Sequence, residues 1–387
     1  MAEATGIITL PALAALLTPL GDDLLREAER FTDPLLAVTV LRRRYPAELV
    51  GVAVEMTDLR RRAAVKFANA DRMYFVREAL EQASGGKVAS WRAQRYAQYS
   101  QVADWGCGVG IDSLALAGVT RAIGLDIDPL RVALAQANAG ALKRSNAEFH
   151  VADYLAIPPH TPAIWADPAR RSEGYRVTGP SEYSPPLDRI IEHAAVRPLG
   201  VKISPAVAAD DIPPDAEAEF ISVGGELKEC ALWFGALRTC SRRATVLPAG
   251  ETLVPSGEFV QTAPPAQVLY DPDPAVLRAG AVKDLGRKLS AWQMDPAIAY
   301  LTGYSPVATP FAQTLMIQAV MPWNLKDVKR HLRGANMRVE EVRKRASPVD
   351  VDTVRKALKT DGTDPVILVL TRVDDKPTAI LATRWKG

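Results

Sequence analysis

Residues 102–138 read VADWGCGVGIDSLALAGVTRAIGLDIDPLRVALAQAN, and few folds accommodate such a stretch. A short apolar run, Val102 and Ala103, ends in Asp104 and opens into Gly106-x-Gly108-x-Gly110. Glycines let a backbone turn sharply and approach a ligand with no side chain between, so a strand, a tight turn and a helix are predicted in that order. Residues 113–117 continue an apolar helical pattern, and residues 121–125 form a second short apolar strand followed by Asp126. This is the first half of an open parallel α/β sheet. Ligands of such sheets sit beyond the carboxyl ends of the strands, where the glycine turn and an acidic residue converge.

The details separate two ligand classes. A dinucleotide site usually reads Gly-x-Gly-x-x-Gly. Here the third glycine comes one residue early, and Asp104 would repel a diphosphate but suits a cationic ligand group. The combination resembles the first motif of the class I S-adenosylmethionine-dependent methyltransferases. That resemblance implies a glycine loop made by Asp104, Gly106, Gly108 and Gly110 passing the methionine part of the cofactor. It makes Asp126 the ligand of the ribose hydroxyls, with Ile127 beside it in the cofactor site. The plain alternative is an ordinary turn with a solvated Asp126.

Pro129 opens a helix running to about Asn138, and residues 149–153 read as a third strand. The resemblance assigns Asp153 to the exocyclic amine of adenine; capping of the following turn is the bland alternative. Residues 162–165 form the fourth strand, ending in Ala166-Asp167-Pro168-Ala169-Arg170-Arg171. Methyl transfer from a sulfonium needs an in-line nucleophile and a place for the departing proton. Related enzymes acting on exocyclic base nitrogens carry Asn or Asp, two prolines and an aromatic residue here. This chain keeps Asp167 and Pro168, the catalytic candidates, but has Ala169 and Arg170 in the last two places. Arg170 and Arg171 suit a phosphate or other anion. Trp165 and Tyr175 are the nearest rings for stacking. Lys202, in a fifth strand over residues 200–204, can reach toward the cleft. The substrate-binding candidates are therefore Arg170, Arg171, Tyr175 and Lys202, with the loop 174–186 as a lid or substrate surface.

At 387 residues, 48% of them hydrophobic, the chain is long enough for two or three domains with substantial cores. No apolar run approaches the roughly 20 residues that cross a bilayer, and the start of the chain lacks a basic segment followed by an apolar one, so neither a membrane span nor a secretory signal is expected. Cys107, Cys230 and Cys240 have no metal-like spacing, which predicts no structural metal and a cytoplasmic setting. A net charge of +2 does not by itself announce a nucleic-acid partner. Basic clusters at 42–44, at 60–62 with Lys66, and over 338–345 can track a phosphate backbone or be solvated helix faces.

Residues 12–99 carry helical periodicity almost throughout. Further on, a strand is predicted over 219–223, a Gly224-Gly225 turn, a helix over 227–237, a strand over 242–247 and a helix over 274–289. The end of the chain reads as helix 325–332, strand 337–342, helix 349–358 and strands 366–371 and 378–383, an αβαββ order that packs as a two-layer α+β domain. Through residues 339–345, 368–372 and 379–384 it resembles the THUMP-like domain found at the C-terminus of some bacterial methyltransferase-fold proteins. The glycine motif and the run after Leu125 also look like those of trimethylguanosine synthase relatives. The Ser-Pro-Pro-Trp signature of those enzymes is missing, so cap methylation does not transfer.

The expectation is an α/β protein with a Rossmann-like, seven-stranded class I methyltransferase core, an N-terminal helical domain and a small C-terminal α+β domain. The expected divisions are 1–97 helical, 98–250 cofactor-binding core, 251–320 connector packed on the core and 321–387 THUMP-like. The function expected is S-adenosyl-L-methionine-dependent methylation of RNA at a base nitrogen. Methylation of a small anionic metabolite, or RNA binding without catalysis, are the alternatives.

Overall fold

The computed structural model describes residues 7–156, 160–169, 171–172, 175–176, 179–258 and 260–386. The chain divides into two compact units, Met1–Glu217 with Glu229–Thr239, and Ala218–Lys228 with Cys240–Gly387.

The first unit begins with helices α1 (Leu10–Leu16), α2 (Pro19–Ala28), α3 (Pro34–Leu41), α4 (Ala47–Ala63), α5 (Arg77–Gln82) and α6 (Gly86–Ala93). Thr9, Thr18 and Asp33 each accept a backbone N–H from the first turn of the helix that follows, and each of those helices carries a proline at its start. There follow β1 (Gln101–Trp105), α7 (Ile111–Leu116), β2 (Arg121–Asp126), α8 (Pro129–Ala141), β3 (Ala147–Val151) and β4 (Ala163–Ala166). Next come a small ribbon of β5 (Arg171–Ser172) with β6 (Tyr175–Arg176), then α9 (Leu187–Ile191) and β7 (Leu199–Ile203); β8 (Glu217–Val223) belongs to the second unit, and β9 (Glu226–Phe234) to the first from Glu229 onward. In this unit the strand order is β9-β7-β4-β1-β2-β3. The five strands from β7 to β3 are parallel and β9 runs antiparallel to β7, giving a mixed sheet.

Within residues 98–250, the expected core, the larger sheet has eight strands among the described residues where seven were expected. Leu16, Leu25, Met56 and Leu59 of the N-terminal helices share one hydrophobic core with Leu134 and Ala135 of α8 and with Val109 of the glycine loop. The helical region is therefore packed into the same core as the glycine loop.

One expected helix is a strand. Residues 227–237 form β9 followed by a single 3-10 turn, Gly235–Leu237. The run Cys230 to Phe234 is buried on both faces, so it lacks the alternation that marks a half-exposed strand. The hairpin signal lay just before it: Gly224 and Gly225 both have positive φ, 61° and 84°, as a two-residue turn between strands requires.

The second unit contains β10 (Arg242–Leu247), parallel to β8, with β11 (Glu251–Leu253) antiparallel to it. A second sheet follows, built from β12 (Val268–Pro272), β13 (Trp292–Gln293), β14 (Leu301–Gly303), β15 (Ala312–Pro322), β16 (Met337–Lys344), β17 (Asp364–Val373) and β18 (Lys376–Arg384), in the order β13-β14-β12-β15-β18-β17-β16. Its helices are α10 (Pro274–Ala279), α11 (Val282–Lys288), α12 (Leu325–Gly334) and α13 (Val351–Ala357). The single helix expected over 274–289 is two, because Gly280 leaves α10 in the left-handed conformation at φ 75°. The αβαββ order from α12 to β18 is as predicted. Val328, Leu332, Val354 and Leu358 of the helical layer pack on Leu368, Leu370 and Leu381 of the sheet. Among the described residues no helix is long and apolar enough to cross a membrane, and no group of His, Cys, Asp and Glu could hold a metal ion.

Candidate functional site

The parallel register brings three strand ends together. Trp105 at the end of β1 lies opposite Leu125 of β2 and Ala166 of β4, so the residues that follow each strand emerge side by side. Between β1 and α7 the loop is tied to its neighbour: the N–H groups of Gly106 and Cys107 both donate to the carbonyl of Leu125, at 2.9 and 3.0 Å. Gly106, Gly108 and Gly110 all have positive φ, at 78°, 54° and 86°. A Cβ on Gly106 would stand 2.7 Å from the carbonyl oxygen of Asp167, and one on Gly110 would strike Ala135. A Cβ on Gly108 would meet nothing within 4 Å. Two of the glycines thus serve packing, and the middle one faces open space at the sheet's carboxyl edge.

Asp126, the last residue of β2, uses both carboxylate oxygens on backbone donors: Oδ2 accepts from Gly108 N–H at 2.9 Å and Oδ1 from Asp128 N–H at 3.0 Å. Each oxygen keeps a second lone pair for a ligand hydroxyl. Ile127 is 71% exposed, an uncovered aliphatic surface beside this carboxylate. Asp153 is exposed two residues past β3 and caps its own turn by accepting from Leu155 N–H at 2.9 Å. An acceptor carboxylate, an apolar side chain, a glycine with an open face and a second exposed carboxylate form a set that fits a nucleoside.

Asp104 is placed otherwise than its sequence position suggested. It is fully buried beneath the loop, where Oδ2 accepts from the Ser113 hydroxyl at 2.5 Å and Oδ1 has no hydrogen-bond partner among the described residues. Burial, with Asp112 nearby, holds its carboxyl well above the usual range. Its place is that of a support for the loop.

Asp167 follows β4. Its N–H donates to Trp105 O at 2.9 Å, and its Oδ2 accepts from Lys202 Nζ at 2.7 Å. Pro168 is buried, and Ala169 exchanges two backbone hydrogen bonds with Ser184, at 3.1 and 2.9 Å, so the returning chain is fastened at the strand end. Lys202 is brought to the site as the buried partner of Asp167. Trp165 is 1% exposed, lies against Trp233 and has the Arg92 guanidinium 4.0 Å over its ring, so it is core and no stacking platform. Arg170 lies outside the described residues. Arg171 and Tyr175 are described only as backbone of the β5–β6 ribbon.

Two rings at the site escaped the sequence reading, those of Tyr154 and His193. Tyr154 stacks on Trp105 at 4.9 Å, with His193 edge-on to the same indole at 4.8 Å. Burial, and next the carboxylate of Asp167, push the Tyr154 phenol upward, so it stays protonated. Arg92 is paired with Asp112 at 2.7 Å and Glu229 at 2.8 Å. Burial opposes its charge, and the two acids outweigh that, so its guanidinium is held above its usual range. The sequence sign of its burial is a cation inside the apolar stripe Val88, Ala89, Arg92, Ala93 of α6. Asn138 is fully buried: its side chain donates to Tyr74 O and Val109 O at 3.0 and 2.9 Å and accepts from Tyr74 N–H at 2.6 Å.

A glycine turn between β1 and α7 with an acid at the end of β2 defines a Rossmann-like nucleotide-cofactor site. Comparison with known proteins specifies it. Three family descriptions match: THUMP domain-like over residues 312–384, ribosomal protein L11 methyltransferase over 88–161, and a domain of unknown function over 9–63. Two Mycobacterium tuberculosis proteins, from different strains and both named uncharacterized S-adenosylmethionine-dependent methyltransferases, are each 32% identical over 333 residues, covering 83% of this chain and 92% of theirs. A solved structure of a candidate methyltransferase from Porphyromonas gingivalis W83 superposes with a TM-score of 0.80 at 19% identity, covering 94% of this chain and 98% of that one. The chain belongs to the S-adenosylmethionine-dependent methyltransferases, with a class I methyltransferase fold and a C-terminal THUMP-like domain. Its cofactor is S-adenosyl-L-methionine.

Proposed function

We propose that this methyltransferase modifies RNA at a base nitrogen, with Asp167 receiving the N–H of the acceptor. The observation that carries the reading is the ion pair at the end of β4: Lys202 holds Oδ2 of Asp167 at 2.7 Å, while the Asp167 side chain retains 22% exposure against 4% for the lysine. The carboxylate is thereby fixed from behind and open in front. Its position beside Gly106 puts it at the edge of the proposed cofactor cleft. Asp126 would hold the ribose hydroxyls, Ile127 would cover the base and Asp153 would accept from its amine, with the backbone from Gly106 to Gly110 alongside Asp104's supporting carboxyl. When bound, the cofactor supplies an electrophilic methyl group on a sulfonium. The chain's own work is then to orient the acceptor, accept its N–H at Asp167 and exclude water. Pro168 fixes the backbone where this carboxylate leaves the strand.

The RNA half of the reading draws on the THUMP domain-like match and on charge. Residues 312–384 carry fourteen Lys and Arg against nine Asp and Glu, a net of +5 in a chain whose total is +2. A surface of that sign is attracted to a phosphate backbone. Incubating the protein with methyl-labelled cofactor and total RNA should label the RNA, and Asp167→Ala should slow labelling by about 100-fold or more. Unlabelled RNA beside a labelled protein or small-molecule fraction would reject the RNA assignment.

A further inference from the structure

Lys202 is 3% exposed in the middle of a sheet, an unusual place for an ammonium group. Besides Asp167 its Nζ donates to one other acceptor among the described residues, the carbonyl of Gln82 at 3.2 Å. Gln82 is the last residue of α5, whose C-terminal end carries the negative pole of the helix dipole. The same short stretch supplies two more polar groups to the interior. Ser84, 7% exposed, donates to Glu229 Oε2 at 3.0 Å, and Arg92 pairs with Glu229 Oε1 at 2.8 Å. Burial pushes Glu229 upward, while Arg92 and then Lys202 pull it back. One buried charge array therefore runs from the helical region, through Glu229 and Lys202, to the carboxylate at the end of β4.

We propose that Lys202 is a positioning residue for methyl transfer, and that the carbonyl end of α5 shares in fixing it, so that the N-terminal helices help to aim Asp167. The argument rests on the reading of Asp167 as the group that receives the acceptor. With Asp167 on one side and the Gln82 carbonyl on another, the ammonium cannot swing without losing a buried partner, and such a loss is costly. The carboxylate keeps one orientation as a result, with Oδ2 committed to the lysine. Among the described residues Lys202 bonds to Asp167 and Gln82 and to none of the proposed cofactor ligands Asp126, Ile127 and Asp153, so its removal acts on the transfer step.

The test is a double-mutant cycle on the full chain with methyl-labelled cofactor, using as acceptor total RNA and, in parallel, the protein and small-molecule fractions of the same cell extract. In the labelled fraction Lys202→Met should lower the transfer rate roughly 10- to 100-fold, the worth of a charge-assisted hydrogen bond. Cofactor affinity should stay within about twofold, and Lys202→Arg should recover part of the rate. In an Asp167→Ala background Lys202→Met should change nothing further, since no carboxylate remains to be aimed. Equal loss from Lys202→Met in both backgrounds, or no loss in the wild type, overturns the positioning role alone. Full activity in Asp167→Ala overturns the reading of Asp167 beneath it, and labelling in no fraction overturns both. If Lys202→Met fails to fold, Lys202→Arg and Ser84→Ala carry the test. Arginine should retain transfer above the Asp167→Ala level, and Ser84→Ala, which loosens Glu229, should lower the rate at unchanged cofactor affinity; failure of both overturns the proposal.

Discussion

Gly106 and Gly108 share a loop and a left-handed backbone, yet they face different surroundings. Alanine at 106 would meet the Asp167 carbonyl at 2.7 Å as well as bearing the strain of φ 78°, so Gly106→Ala should cost stability and cofactor binding together. Alanine at 108 bears the strain of φ 54° but enters open space. Gly108→Ala should therefore melt only about 1 kcal/mol less stable while losing tenfold or more in cofactor affinity, measured by thermal denaturation and titration. Asp104 gives a pH-dependent prediction. A carboxyl held above its usual range binds more protons folded than unfolded, so its contribution to stability falls as pH rises through the interval above the ordinary aspartate value. Asp104→Asn should accordingly gain in melting temperature relative to wild type between about pH 5 and pH 8; a difference that shrinks over that range would mean the charged form is the one the fold needs. The glycines and Asp126 were legible because turn geometry and strand ends constrain residue type. The burial of Asp104 and the pairing of Lys202 were not, since both depend on side chains from distant segments: Ser113 of α7 for one, Asp167 and Gln82 for the other.

Elements with a free face were readable, and so were the short buried strands β4 and β7, whereas the longer buried run of β9 was not. Helices α12 and α13 show a buried stripe and a polar one, and the αβαββ order from α12 to β18 followed from that pattern. Strand β9 shows the reverse. Its buried run has no period, and a helix was equally consistent with it until the paired glycines before it are given their weight. Strand β15 drew no prediction, because its apolar residues run together, Leu315 to Ile317 and Ala319 to Met321, with no apolar–polar alternation. At this scale Asn138 joins α8 to two other segments. Asn138→Ala orphans the carbonyls of Tyr74 and Val109 and the amide of Tyr74. It should destabilise the protein by about 3 kcal/mol and speed hydrogen exchange at the Tyr74 amide. Unchanged exchange there would mean that this amide keeps its protection without the asparagine.

For the whole molecule, the family and the cofactor rest on the first unit and the fold-wide comparison, while the choice of RNA rests on the charge and kinship of the terminal domain. These separate by experiment. Replacing the exposed cations Arg333, Arg355, Lys356 and Lys359 by glutamine should weaken RNA binding and flatten its dependence on salt, leaving cofactor affinity as it was. A salt slope equal to that of the wild type would remove this surface from the RNA path. In the proposed site the nucleoside of S-adenosylmethionine lies across the carboxyl ends of β1 and β2 with Asp126 on its ribose. The most direct measurement of this placement is calorimetric titration of the cofactor into wild type, Asp126→Ala and Asp167→Ala. The wild type should bind, Asp167→Ala should bind with nearly the same affinity, and Asp126→Ala should lose roughly tenfold or more. Equal affinity in all three proteins, or none in the wild type, would contradict the placement.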